Sequence, residues 1–461
     1  MQFFKRFPFE VYFIHAILLV QFILAWHFAE HRFICDTSYY FFKALNSANF
    51  HIEHQRYVLA LAELPVVLMS KFHFPLQWIL YVFSVWHIIY YSIIGYLCFK
   101  ISGKHGYWLL VVLMQVIGVH LGFYGPIFEQ FYGTALAVLF FVLLQKYDNT
   151  SIGSHLILMI VFILVITSHP FNFLLALYLM FLDYLKTKYI RKYLILLVSI
   201  PCFIAFKILF MSEYEAGKIG WTFNLSQNKT YETIYEWKHV VAAFKFLLTY
   251  YLETFISLIV TIIYLLRTKH YFNASIVFST YIATWVLIRF TCYMESYTRY
   301  FEQVHYLIVP VAFITFVYFV SEVKKSNTIK YSLVFAIVIS CTFRFIKVFE
   351  IGRRNTQKTL AIKSLVDRAQ QQTGTKLFVR TENCGDACNH FEWDTPYLTL
   401  LYSALHKFPK QVSIYHLEED FESFRKISND KYWFRLEEQE PIDKLNPNYF
   451  KLENEAYREL R

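Results

Sequence analysis

The sequence predicts an all-α polytopic membrane protein of about eleven transmembrane helices, followed by a small α/β C-terminal domain outside the cytoplasm. Three observations carry this. The 461-residue chain is 57% hydrophobic and 20% aromatic, above the roughly 45–50% apolar usage of ordinary globular domains. Apolar runs near the ~20 residues needed to cross a bilayer recur through residues 1–349. From residue 350 the texture turns polar, with 17 Lys and Arg balancing 18 Asp and Glu.

The candidate spans are 11–30, 76–99, 107–124, 130–145, 152–168, 170–185, 192–211, 241–266, 271–291, 303–321 and 329–349. The first follows Lys5 and Arg6 and runs through Trp26 without a small-residue cleavage site, so it reads as a retained anchor. Lys and Arg fill one set of short loops (Lys100 and Lys104, Lys146, Lys186 to Lys192, Arg267 and Lys269, Lys324 to Lys330). That bias puts those loops and the N-terminus in the cytoplasm. The long loops 32–75, 212–240 and 292–302 then lie outside, as does the tail after an odd number of spans. Residues 1–349 hold 27 basic against 16 acidic residues; the excess suits contact with anionic lipid and is not a nucleic-acid signature.

Residues 350–461 read as one α/β domain. Residues 355–372 have helical apolar spacing and Gly374 stops them. Residues 376–380 and 410–415 read as strands, and 395–406 as a helix with Pro396 in its first turn. Cys384 and Cys388 suit a local disulfide in an oxidising compartment, or half of a zinc site with His390. No Gly-rich nucleotide fingerprint is present. The absence of a retention signal or N-terminal extension favours a bacterial inner membrane with the tail in the periplasm; the Asn224 and Asn228 sequons fit either compartment.

The residues suited to chemistry sit at outer junctions. Asp36 follows the first span and opens a helical stretch, Thr37 to Asn46. It reads as a general base with a carboxyl raised by nearby apolar surface, or as a helix N-cap. His51 and His54, and Glu53 and Arg56, are each three apart and share a face if helical. They fit a grip on a lipid phosphate or an interfacial helix with a Glu–Arg pair. Glu129 follows Gly125-Pro126 and must face a polar cavity or the water boundary. His169 precedes Pro170 at another outer junction, as a cavity residue or a cap. Arg289 ends a span, and Arg299 and Tyr300 precede a span containing Pro310. Trp221, Trp237 and the acids of 212–240 fit sugar stacking or an interfacial belt.

Together these pieces resemble the GT-C class of membrane glycosyltransferases, which take sugars from polyprenyl-phosphate donors. The resemblance rests on the inside N-terminus and the long first outer loop with its early acid (Cys35-Asp36-Thr37-Ser38-Tyr39-Tyr40). The late Arg299-Tyr300 pair before HYLIVPVAF and the outside tail add to it. It implies Asp36 as catalytic base, Glu129 as the assisting acid, and Arg299, Tyr300, Arg56, His51, His54, His169 and Arg289 around the donor. The acceptor would be a glycan, a lipid or a protein. Many members carry paired acids with a divalent metal at the first site; here Thr37 and Ser38 follow Asp36, so a metal is admitted but not required. The rival readings are a transporter or flippase of lipid-linked saccharides, a polysaccharide ligase or polymerase, and a non-catalytic scaffold.

Overall fold

Residues 9–33, 35–146, 152–188, 190–213, 215–217, 220, 236–291, 299–320, 327–384, 393–417, 431–435 and 438–460 are described by the computed structural model. Helix α1 (Phe9–His27) leads into the first loop, which carries α2 (Asp36–Ser47) and α3 (Leu59–Lys71). The bundle continues with α4 (Leu76–Ser102), α5 (His105–Met114), α6 (Glu129–Lys146), α7 (Ile152–Ser168), α8 (Pro170–Thr187) and α9 (Leu194–Leu209). Then come α10 (Trp237–Tyr250), α11 (Leu252–Arg267), α12 (Tyr271–Thr291), α13 (Arg299–His305), α14 (Ile308–Val320) and α15 (Asn327–Gln370).

Eleven spans are not what forms. Among the described residues, four helices are long and apolar enough to cross a membrane: Glu10–His27, Leu76–Ser102, Tyr271–Arg289 and Glu302–Val320. A fifth is added if α10 and α11, bent by 95° at Tyr251, count as one span. The expected span 107–124 stops as a helix at Met114 and continues as turns. Ten residues of helix rise only about 15 Å, half of a bilayer core of about 30 Å. Helix α6 explains part of the overcount in another way. Almost all of it is buried against α4, α7 and α8, so its apolar run is interior packing, which hydropathy does not distinguish from a lipid-facing surface.

The C-terminal end of α1 is pinned by Arg32, which is 1% exposed. Its guanidinium donates to the carbonyls of Ser84 and, at 2.5 Å, Phe123, and lies 4.4 Å over the Phe123 ring. One side chain thereby ties α1 to α4 and to the turn Gly122–Tyr124.

Helix α15 runs unbroken for 44 residues, about 66 Å at 1.5 Å per residue. The apolar run 329–349 and the helix read at 355–372 are therefore one rod, and the change of texture at residue 350 falls within it. Beyond it, β1 (Lys376–Arg380), α16 (Thr395–Leu405) and β2 (Ser413–Leu417) build a parallel pair, with Lys376 opposite Ser413. Strands β3 (Tyr432–Arg435) and β4 (Glu438–Pro441) form an antiparallel pair, and β5 (Arg458–Glu459) joins the other edge of β1. The second strand starts three residues later than the sequence pattern places it. Ile362, Leu365 and Val366 of α15 close this small core against Leu377, Val379 and Ile414.

The tail packs on the first loop along most of its length. Asp394, fully buried, accepts from the Cys35 backbone N–H at 2.6 Å and the Ser38 hydroxyl at 3.0 Å, with Lys358 at 3.5 Å. Asn446 N–H donates to Asn46 Oδ1 at 2.7 Å, the Tyr449 hydroxyl to the Phe74 carbonyl at 3.0 Å, and Lys43 pairs with Glu440. Replacing Asp394 by Ala removes one acceptor each from the Cys35 N–H, the Ser38 hydroxyl and the Lys358 ammonium. The expected loss is about 2–4 kcal/mol, read as a lower thermal midpoint of the detergent-solubilised protein; an unchanged midpoint would contradict this role.

Candidate functional site

Helix α2 begins after Cys35, whose φ of 48° breaks the chain direction. Asp36 is the first helical residue, not the cap: no side-chain capping bond comes from the N-cap residue, and the capping carboxylate belongs to Asp394. Asp36 is exposed. Tyr39 and Tyr40 follow at three and four residues, so Asp36 shares their helix face one turn closer to the start.

That face meets residues 48–58, which do not form the expected helix. They run as turns, with His54 and Gln55 at positive φ (52° and 56°), a conformation that costs of order 1–3 kcal/mol per residue. The turns converge the side chains that a helix would have spread. Glu53 receives the Tyr39 hydroxyl at 2.6 Å and the Tyr40 hydroxyl at 2.8 Å, with His51 Nε2 at 2.9 Å and His54 Nε2 at 3.7 Å. Burial alone would raise this carboxyl, but His51, Tyr39 and Tyr40 hold it down to about 2. Beneath it, fully buried Glu63 accepts the His51 backbone N–H at 2.6 Å. Burial pushes the Glu63 carboxyl up to about 8, aided by the Glu53 charge and opposed by that N–H.

Arg56 reaches across to Glu129, and the two form a close ion pair. Glu129 opens α6 and is 7% exposed, so its charge is buried against Arg56. His169 caps α8: its Nδ1 accepts the Phe171 N–H at 3.2 Å. Burial, then the Arg56 cation, push its imidazole well below the ordinary range; His54 is lowered by the same two causes. The α7–α8 junction comes this close to α6 because position 133 is glycine. A Cβ there would lie 2.0 Å from Ser168 Oγ and 2.3 Å from Asn172 Nδ2. From the far side, Lys207 Nζ donates to the His54 carbonyl at 2.6 Å and pairs with Glu215 at 3.2 Å, while Ser212 Oγ lies 2.8 Å from His54 Nδ1.

The fold therefore gathers His51, His54, Arg56, Glu129 and His169 in one polar cluster, with Asp36 at the start of the helix that supplies Tyr39 and Tyr40 to it. Arg289 is buried near the end of α12. Arg299 and Tyr300 begin α13, but their side chains lie outside the described residues, as do Trp221, Asn224, Asn228, Cys388 and His390. Cys384 is disulfide-bonded. Tyr39, Tyr40 and Lys207 join the cluster without having been singled out as site residues, whereas Glu53 was read as the partner of Arg56 and Glu215 among the acids of 212–240. Lys207, the one cation between Tyr193 and Met211, was the available signal. Among the described residues, no group of three or more His, Cys, Asp or Glu side chains is arranged to hold a metal ion, so the divalent ion admitted by the GT-C resemblance finds no donor set there. No protein-family model, curated protein or solved structure matches the chain.

Two measurements probe this geometry. Glu63 keeps its proton in the folded chain to about pH 8, whereas its ordinary value is 4.5. The folded state thus holds the extra proton between those values, and stability falls as pH rises through that window. Glu63→Gln retains an acceptor for His51 and is expected to remove that slope; thermal midpoints across the window that still fall equally would contradict it. For Arg56 and Glu129, single and double substitutions to Gln are expected to give a coupling of about 1–3 kcal/mol, and additive losses would mean the pair contributes nothing.

Proposed function

We propose that this chain is a glycosyltransferase that moves a sugar from a polyprenyl-phosphate donor to an acceptor hydroxyl at the outer face of the membrane. The observation that carries this reading is the convergence of Arg56, Glu129, His54 and His169 beside the helix that begins with Asp36. An exposed carboxylate at the start of the helix that Tyr39 and Tyr40 tie to Glu53, with the Arg56 guanidinium fixed on Glu129, suits base catalysis by one group and charge stabilisation by the other.

In the proposed reaction Asp36 takes the proton of the acceptor hydroxyl. The acceptor oxygen bonds to the anomeric carbon, and the bond from that carbon to the phosphate oxygen breaks, leaving its electron pair on the polyprenyl phosphate. Arg56 meets the growing phosphate charge, and Glu129 orients Arg56 in place of the assisting acid role that the GT-C resemblance implies for it. Glu53, ionised and bound by two tyrosines and a histidine, can accept sugar hydroxyls. No step is routed through a metal. Arg299 and Tyr300 remain proposed donor contacts.

The disulfide of Cys384 supports an oxidising compartment for the tail, and the tail's contacts put the first loop at the same end. Both fit a bacterial inner membrane with this end in the periplasm. A flippase of lipid-linked saccharides is the second reading, favoured by the 95° break between α10 and α11, since transporters build sites on broken helices. Against it, Trp237, Val241, Phe244 and Leu248 leave α10 an exposed apolar surface, as in a helix lying along the bilayer interface.

Asp36→Asn separates these readings. Transfer from a radiolabelled polyprenyl-phosphate hexose or pentose is expected to fall about 10²–10⁴-fold, with the thermal midpoint and donor binding unchanged. Transfer at the wild-type rate would contradict the assignment, and a scaffold or flippase would not respond.

A further inference from the structure

Helix α10 presents three faces. Trp237, Val241, Phe244 and Leu248 fall on one helical stripe and are 77%, 44%, 48% and 37% exposed. Lys238, Ala242, Lys245 and Thr249, each one residue further on, form the neighbouring stripe and are exposed as well. Ala243 and Leu247 are buried, and the Phe246 ring lies 4.9 Å from that of His305, so the third face seats the helix on the bundle. An apolar stripe edged by lysines, on a helix already held by another side, is the pattern of a helix in the bilayer interface.

The bend that follows sets the direction of α10. Helix α11 leaves it at 95°, and every exposed residue from Leu252 to Leu266 is apolar, as lipid contact requires. Thr268, Lys269 and His270 then join α11 to α12, on which it packs and which is long and apolar enough to cross a membrane. Two helices joined by so short a turn run antiparallel, so α11 follows the course of α12 through the bilayer. Helix α10, at nearly a right angle to it, lies in the plane of the membrane. The Tyr251 hydroxyl at the bend donates to the Glu302 carbonyl at 3.3 Å. The Glu302 carboxylate accepts the Gly122 N–H at 2.7 Å, next to the Phe123 carbonyl that holds Arg32. The bend therefore stands at the end of the bundle where α1 ends and the first loop begins.

We propose that α10 is a docking surface for anionic phospholipid. It lies flat in the leaflet on the side of the first loop, its apolar stripe sunk among the acyl chains and Lys238 and Lys245 at the level of the phosphates. The two lysines are two helical turns apart and face the same way, so they meet neighbouring head groups. Lys238 pairs with Glu236 at 2.9 Å; an exposed pair of this kind contributes little, and a lipid phosphate can replace it. Were α10 instead the first half of a broken span, Lys245 would stand about 10 Å deeper than Lys238, in hydrocarbon where an ammonium is costly. The inference concerns the membrane surface and is independent of glycosyl transfer.

The test uses the full chain in vesicles of phosphatidylcholine mixed with phosphatidylglycerol. A nitroxide is attached to a genetically encoded keto amino acid, one position at a time through residues 237–249, which leaves the native cysteines in place. Collision with oxygen is expected to peak at 237, 241, 244 and 248, all at one depth, and collision with a water-soluble nickel chelate at 238, 242, 245 and 249. A depth that increases steadily from 237 to 248 would overturn the proposal in favour of a broken span. Exclusion of both reagents at 241 and 244 would overturn it too, because a protein partner or a second copy then covers the stripe. For the charge, a fluorophore at 242 is expected to be quenched about fivefold more effectively by nitroxide-labelled phosphatidylglycerol than by phosphatidylcholine with the same label. Lys238→Gln combined with Lys245→Gln is expected to abolish that preference and leave the depth profile unchanged. Equal quenching by the two lipids in the wild-type chain would overturn the assignment to anionic lipid, as would a preference that survives both substitutions. If the double variant does not fold, the wild-type comparison of the two lipids decides.

Discussion

The arrangement of the end of the bundle where the first loop meets the tail depends on one buried carboxylate. Asp394 lies at the start of α16 in the tail, yet its oxygens serve the start of α2 in the first loop, 359 residues away along the chain. Removing a carboxylate from water is costly unless it is fully paired, and here an N–H, a hydroxyl and an ammonium surround it. The same bonds fix the first turn of α2, and with it the direction of Asp36, Tyr39 and Tyr40. The tail is therefore part of the construction of the cluster, even though it supplies none of the cluster's described residues.

The rest follows from how the loop is held from below. Arg32 locks the end of α1 into α4 and the 122–124 turn, so the loop starts from a rigid base. Glu63 anchors the backbone of His51, and Lys207 anchors the carbonyl of His54. The left-handed residues His54 and Gln55, at and just after the second anchor, precede Arg56, which pairs with Glu129. The resulting cluster is close to charge balance: Arg56 and Lys207 face Glu129, Glu53 and Glu215, while burial keeps the His54 and His169 imidazoles low. Such a cluster does not attract anions by net charge. It selects by geometry, through fixed donors and acceptors in a partly dry setting, where polar contacts are stronger than in water.

Much of this was legible in the sequence, and the failures have physical causes. The polar first loop stood out because charged and imidazole groups between apolar runs need a reason to be there, and five of the predicted residues do meet. Their partnerships were not legible. Arg56 and Glu129 are 73 positions apart, and the expected pairing of His51 with His54 assumed a helix that the two left-handed residues preclude. Asp394 before Thr395-Pro396 looks like the cap of its own helix, which is the ordinary use of such a residue; its carboxylate turns to another helix instead. The overcount of spans has the same root. Hydropathy records that a segment avoids water, and the interior of a bundle satisfies that as well as lipid does, as α6 demonstrates.

The most direct measurement is the position of a donor analogue. A structure of the full chain with a non-hydrolysable polyprenyl-phosphate sugar, determined by electron cryomicroscopy in a lipid nanodisc, would place the phosphate and the anomeric carbon. The account predicts the phosphate within hydrogen-bond reach of Arg56 and the sugar facing Asp36. A phosphate bound at the opposite end of the bundle, or at this end but remote from both residues, would contradict it.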